Sequence, residues 1–125
     1  GYLRPYLNKV WVAEFDGLCS VDQYVFTVDP DYVSTPYIAW YMRSPSYIEN
    51  SPVGKTPGWL PRIRVDEVAS IAIPVPRLTE QRRVAEKIAA QMVDVEMARA
   101  AAENELDAIN VMPAALLRRA FSGRV

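Results

Sequence analysis

The chain has 125 residues, half of them hydrophobic, which is enough for one globular domain with its own core. Fourteen basic and fifteen acidic residues give a net charge of −1, so composition gives no support to nucleic-acid binding through overall charge. With no histidine and one cysteine, Cys19, the chain lacks the residues for a disulfide framework, a cysteine-rich metal site or the commonest catalytic base. No apolar run has the length of a membrane span, and the cysteine usage favours a cytoplasmic protein.

Two different compositions meet at Leu78. Residues 1–78 contain nine of the ten prolines and twelve of the thirteen aromatic residues, whereas the rest is rich in Ala, Glu, Arg, Met and Leu. This break predicts an α+β domain over residues 1–78 and a helical part over residues 79–125.

Three segments of the first part have the pattern of β-strands. The segments "KVWVAEFDG" and "QYVFTVDP" alternate, are rich in β-branched and aromatic residues, and end at Gly17 and Pro30. A third, short strand is expected at residues 71–73, before Pro74. Trp11 is then expected to lie in the strand core.

The other segments of the first part predict one helix, a loop and a turn. In "STPYIAWYMRSP", Thr35 is expected as the N-cap and Pro45 as the stop, with the aromatic side chains in the core rather than free to stack on bases. The Pro- and Gly-rich segment "YIENSPVGKTPGWLPR" predicts a long exposed loop. A short capped turn is expected at Asp66.

The second part predicts one long helix. Thr79 is a fair N-cap, and no Gly or Pro follows until Pro113, so a helix to about Val111 would be about 45–50 Å long. Apolar residues recur every three or four positions along it: Val84, Ile88, Met92, Val95, Ala98, Ala102, Leu106 and Ile109. We call these eight residues the pairing stripe, because so long a face is expected to meet another helix. Pro113 is expected to break the helix, and "AALLRRAFSG" to form a short second helix that ends at Gly123.

The junction between the parts resembles a known family. It reads "IPVPRLTEQRRVAEKI", with Ile73-Pro74, Pro76, Leu78 and Glu80-Gln81-Arg82-Arg83, and "LLRRAFSG" follows the long helix. Three earlier stretches fit the same pattern: Arg4 to Lys9, Tyr41 to Ser44, and Pro61 to Ile63. Together these stretches resemble the specificity subunits of type I restriction–modification systems.

The resemblance implies a non-catalytic subunit that binds double-stranded DNA through a target recognition domain. It implies that the long helix pairs with a second such helix, in a homodimer or with a second specificity half, and sets the spacing between two recognition domains. The implied protein partners are the methyltransferase (modification) subunit, which binds S-adenosylmethionine itself, and the restriction subunit. No cofactor is expected on this chain, which has no glycine-rich cofactor loop. Family members have strand-rich sequence ahead of the Arg4–Lys9 stretch, so the chain is expected to be the back half of a recognition domain plus one helix.

Candidate DNA contacts come from basic residues and from one loop aromatic. Arginine is the favoured reader of guanine, and both Arg and Lys position phosphates. The candidates are Arg4, Lys9, Lys55, Thr56, Trp59, Arg62 and Arg64. For each, a solvated side chain is the competing interpretation. Glu80 to Arg83 is equally a charged helix start or a docking surface. For the chain as a whole, a helical assembly module without DNA binding remains the second hypothesis.

Overall fold

A computed structural model of the chain describes residues 1, 3–50 and 62–123. It divides into two compact units, Gly1–Lys87 and Ile88–Val125. A 3-10 turn at Pro5–Leu7 precedes four helices in the described residues. These are α1 (Thr35–Arg43), α2 (Pro45–Asn50), α3 (Val65–Ala69) and α4 (Leu78–Phe121), the last of which runs from the first unit into the second.

The prediction of an α+β fold is wrong for the described residues, which are helical and contain no strand. Strand-like backbone pairing there is limited to one antiparallel bridge between Leu3 and Arg62. The three predicted strands do not form, and Trp11 is 62% exposed rather than buried. Alternation marks two faces of a segment, but a strand also needs a neighbour with which to exchange hydrogen bonds. The described residues offer these segments no such neighbour.

A small core forms around α2. Tyr47 on α2 is 2% exposed and packs with Ile63, which is 3% exposed, and the ring of Tyr41 on α1 meets that of Tyr47 edge-on at 6.2 Å. Met42, Val68 and Ile71 add partly buried side chains to this cluster. Burial raises the pKa of the Tyr47 phenol above its ordinary value.

The one helix predicted in the first part, α1, begins and ends close to its predicted bounds, whereas α2 overlaps the predicted loop and α3 lies at the predicted turn. The N-cap of α1 is Ser34 rather than Thr35, and Pro36 lies in its first turn. Pro45 ends α1 as predicted and starts α2, so residues 47–50 of the predicted loop are helical. The N-cap of α3 is Arg64 rather than Asp66, and the Glu67 carboxylate accepts a hydrogen bond from the Arg64 N–H at 2.7 Å.

Helix α4 begins one residue earlier and ends ten residues later than predicted. It starts at Leu78 and passes through Pro113 to Phe121, so the predicted break and separate short helix are wrong. Proline lacks one N–H and crowds the preceding turn. The residues that follow Pro113, Ala114 to Leu117, are strong helix formers, and the helix continues through them. It ends two residues before Gly123, whose φ of 70° is the left-handed conformation that glycine adopts easily.

The second unit presents its apolar side chains to solvent. Every described residue from Ala89 onward is exposed, including Val95 at 53%. None of the helices in the described ranges is both long and apolar enough to cross a membrane.

We expect the Tyr47–Ile63 cluster to dominate the stability of the first unit. Ile63→Ala should lower the free energy of unfolding by about 2–4 kcal/mol, because it opens a cavity in a core with few other members. Val93→Ala, at an exposed position of α4, is the control and should change it by less than about 0.5 kcal/mol. Urea unfolding followed by tryptophan fluorescence measures both, and equal effects would contradict the assignment of the core.

Candidate nucleic-acid interface and helix junction

The Arg4–Lys9 stretch is attached to the end of α1. Its 3-10 turn is closed by hydrogen bonds from the Leu7 and Asn8 N–H groups to the carbonyls of Arg4 and Pro5, both 2.9 Å. The Asn8 side-chain amide donates to the Met42 carbonyl at 2.6 Å, and the Arg43 guanidinium donates twice to the Val10 carbonyl at 2.8 and 3.1 Å. Two of the family-like stretches therefore meet in the fold.

Arg4 combines an exposed basic side chain with an unusual backbone. Its φ is 52° and it precedes Pro5, whereas non-glycine residues rarely adopt the left-handed region. The neighbouring Leu3 forms the bridge to Arg62, so two candidate arginines lie at or next to one backbone contact. The side chains of Arg4 and Lys9 form no hydrogen bond or ion pair with the described residues. Their positive charges are therefore not neutralised within that part of the chain.

Arg64 and the candidates of the predicted loop differ from Arg4 and Lys9. The Arg64 guanidinium donates two hydrogen bonds to the Asp66 carboxylate, at 2.9 and 3.0 Å. Its charge is thus compensated locally. Lys55, Thr56 and Trp59 lie outside the described residues.

The aromatic residues of α1 serve packing rather than forming an open platform. Tyr37 is buried, and Trp40 and Tyr41 are half-buried. The Arg43 guanidinium lies over the Trp40 ring at 4.9 Å from its centroid. A shallow cleft of about 250 Å³ beside them is lined by Trp11, Val12, Glu14, Pro36, Ala39, Trp40 and Arg43.

Gln81, the fourth residue of α4, is the one polar side chain in the described residues with no solvent exposure. Its Nε2 donates to the carbonyls of Tyr32 at 2.9 Å and Pro76 at 2.7 Å, and its Oε1 accepts from the Ser34 N–H at 2.9 Å. We call these three hydrogen bonds the Gln81 anchor. They join the start of α4 to the segment before α1 and to the proline-rich junction.

A second contact supports the same junction. The Tyr37 hydroxyl donates to the Pro74 carbonyl at 2.9 Å. Burial, with a contribution from neighbouring Tyr41, raises the pKa of Tyr37, so its hydroxyl keeps the proton that it donates. Prolines cannot donate a backbone hydrogen bond, but the carbonyls of Pro74 and Pro76 accept one each.

The charged residues around Gln81 remain on the surface. The Arg83 guanidinium donates two hydrogen bonds to the Glu80 carboxylate, at 2.6 and 2.9 Å, and this bonding lowers the pKa of Glu80 and raises that of Arg83. Arg82 is exposed and makes no hydrogen bond or ion pair with the described residues. The Glu80–Arg83 run therefore combines an internal anchor, a surface ion pair and one outward cation.

The pairing stripe changes from half-covered to exposed along α4. Val84 and Ile88 are half-buried, whereas Met92, Val95, Ala98, Ala102, Leu106 and Ile109 are exposed. Beside the exposed part lie five acidic residues and Arg99, which pairs with Glu103 at 2.9 Å. The described residues contain no group of His, Cys, Asp and Glu that could hold a metal ion.

Comparison with known proteins gives one curated relative. The chain is similar to the type I restriction enzyme EcoDI specificity subunit of Escherichia coli. The two are 26% identical over 123 residues, which is 98% of this chain but only 27% of the relative. This chain thus spans about a quarter of the length of the relative that it matches. No family model matches the chain, and neither does any solved structure.

Sequence reasoning placed Gln81 at the helix start but missed its burial. The signal is present: Gln81 lies three residues before Val84, so it falls on the same helical face as the apolar stripe. The role of the Asn8 side chain and the Tyr37 hydroxyl has no comparable signal, because their partners lie 34 and 37 residues away in sequence.

We expect Tyr37→Phe to loosen the junction while leaving the ring packing intact. It removes one hydrogen bond and leaves the Pro74 carbonyl without its donor, which should lower the free energy of unfolding by about 0.5–1.5 kcal/mol. Tyr32→Phe is the matched control, because the Tyr32 side chain is largely exposed and only its carbonyl is used. Thermal unfolding of both variants checks this; a loss at Tyr32 as large as at Tyr37 would contradict it.

Proposed function

We propose that the chain is a DNA-specificity module of a type I restriction–modification enzyme, without catalytic activity of its own. Residues 1–78 would belong to a target recognition domain, and residues 79–125 would form the spacer helix through which it assembles. The supporting observation is the likeness to a specificity subunit over 98% of the chain. On this proposal the partners are double-stranded DNA, the modification and restriction subunits, and a second specificity half.

The DNA side of the proposal is supported by Arg4 and its surroundings. Strained backbone conformations concentrate at functional sites, and Arg4 adopts one with φ 52°. Its exposed guanidinium has no acidic partner in the described residues, and Arg62 lies at the adjoining bridge. A cation of this kind is suited to a phosphate oxygen, which positions a protein on DNA without selecting a base.

The assembly side is supported by the exposed pairing stripe. An antiparallel pair of such helices would bury about 800–1,000 Å², near the lower limit of stable interfaces. Helix α4 exposes a row of Met, Val, Leu and Ile side chains, and a contiguous apolar surface commonly marks a contact with another protein. A second α4-like helix, from another copy or from another half of a specificity subunit, would cover it.

The substitution Arg4→Gly separates a DNA contact from a structural role. Glycine fits the left-handed backbone, and this gain offsets the larger entropy that it gives to the unfolded chain, so stability should change by less than about 0.5 kcal/mol. The loss of one phosphate contact should weaken binding to a mixed-sequence DNA duplex. It should also reduce the slope of log affinity against log salt by about one.

The control for this experiment is Arg99→Gly on α4, followed by fluorescence anisotropy at several salt concentrations. Arg99 pairs with Glu103, so its loss should leave the salt slope unchanged. If the wild-type chain shows no salt-dependent binding to DNA at all, the assembly module without DNA binding is the correct description.

The stripe is tested by two substitutions of the same type. Val95→Asp should abolish self-association, because it would bury an unpaired carboxylate in the interface at a cost of several kcal/mol. Val93→Asp is the matched control: Val93 is equally exposed in the single chain, but it lies two residues away and so on the opposite side of the helix. Sedimentation equilibrium at tens of micromolar measures both.

Self-association should be nearly independent of salt, since it depends on apolar burial rather than phosphate contacts. A wild-type monomer, or a dimer that survives Val95→Asp, would exclude the stripe as a self-pairing surface.

A further inference from the structure

We propose that Gln81 is a positioning residue that fixes the rotation and axial position of α4 at its start. Gln81 has no solvent exposure, and its three hydrogen bonds are the Gln81 anchor described above. The assignment of a spacer role to α4 rests on the proposed function. The anchor itself does not, and it is tested without DNA.

The geometry of a helix makes one buried side chain sufficient for this purpose. A slip of α4 by one residue would turn it by about 100° and shift it by about 1.5 Å. Hydrogen bonds of 2.7–2.9 Å do not survive such a displacement. Gln81 also lies three residues before Val84 and seven before Ile88, on the same face. The anchor therefore sets the phase of the pairing stripe where the stripe begins.

The chemistry of the site selects glutamine. The two carbonyls need two N–H donors, and the Ser34 N–H needs one acceptor, at the end of a single side chain. A primary amide supplies both, whereas a carboxylate only accepts and an ammonium only donates. Asparagine has the same amide but is one methylene shorter, so it would not reach all three partners.

All three partners are main-chain atoms. The side chains of Tyr32, Ser34 and Pro76 take no part in the anchor. Residues in the segment before α1 can therefore change without altering how α4 is held, provided that the backbone path is kept. A DNA-reading part with this junction could vary its recognition side chains while presenting the same helix in the same phase.

The first test measures the anchor directly in the full chain. In Gln81→Leu the Ser34 amide loses its acceptor, and its hydrogen exchange followed by NMR should accelerate about tenfold, the equivalent of one hydrogen bond. Spin labels at the exposed positions Glu49 on α2 and Glu86 on α4, in a Cys19→Ser background, should give a broader distance distribution than in the Gln81 protein. Gln91→Leu is the matched control, since Gln91 is an exposed glutamine on the same helix. It should change neither reading.

The second test uses pH and distinguishes positioning from general packing. Gln81→Glu places a carboxylate against the two carbonyls that Nε2 now serves. Burial beside these oxygens raises the folded-state pKa of the introduced carboxyl above its unfolded value of about 4.3. Its contribution to stability is therefore present below the unfolded pKa and is lost as pH rises through the folded one. The distance distribution of this variant should be narrower at low pH and broader toward neutrality. At each pH it is compared with the distribution of the Gln81 protein, so that general effects of pH are removed. Gln91→Glu should show no such dependence.

Unchanged Ser34 exchange and an unchanged distance distribution in Gln81→Leu would overturn the proposal. So would a pH profile of Gln81→Glu that matches Gln91→Glu. If Gln81→Leu does not fold, the pH dependence of Gln81→Glu decides. A distance distribution that narrows at low pH, where the protonated carboxyl can donate one hydrogen bond, supports the anchor. A distribution that stays broad at every pH contradicts it. Loss of DNA binding with an intact anchor would instead remove the proposed function and leave the positioning role in place.

Discussion

A buried amide on the first turns of α4 has to satisfy its donors and acceptor inside the protein, and this requirement organises the junction. Nε2 and Oε1 of Gln81 bond to three main-chain groups, two of which belong to the segment that leads into α1. An amide left buried without these partners would cost about 1–3 kcal/mol for each lost bond. The Tyr32–Ser34 segment, the Pro76 carbonyl and the start of α4 therefore stabilise one another. The Tyr37 hydroxyl binds Pro74 in the same way. The proline-rich junction is thereby held through its carbonyls, although its prolines have no N–H to offer.

The rest of the first unit depends on few apolar contacts. Tyr47 and Ile63 form the buried cluster, while the segment with the two alternating patterns leaves Phe15, Leu18 and Val25 exposed. Polar links to main-chain carbonyls, from Asn8 to Met42 and from Arg43 to Val10, add order where apolar burial is small. Such bonds are directional and individually worth about 1 kcal/mol. The fold of this unit thus depends more on directional hydrogen bonds than on the amount of buried apolar surface.

The sequence predicted the helices much better than the strands, and the reason is physical. A helix satisfies its hydrogen bonds locally, so residue spacing predicts that α1 and α4 exist and where each begins to within one residue, whereas α2 lies where a loop was predicted. A strand depends on a partner that lies elsewhere in the chain, and alternation at Trp11 and Val25 carries no information on whether that partner is present. Pro113 was wrongly predicted to break α4: proline removes one backbone hydrogen bond, but the helix continues through it to Phe121. Of the candidate DNA contacts, Arg4 gains support from a backbone conformation that no sequence pattern indicated.

The buried and the exposed parts of this chain differ in how substitutions affect them. The anchor and the core are built from backbone atoms and a few buried side chains, so they tolerate change in the residues around them but not in Gln81, Tyr47 or Ile63. The Arg4 region and the exposed stripe consist of side chains that face solvent, where substitution costs little stability. Because α4 is held by main-chain contacts, the surface side chains of the first unit can change without changing where the helix begins. If α4 serves as a spacer, constancy of the helix phase and variability of the reading surface are both required, and the Gln81 anchor is the feature of this structure that allows them to coexist.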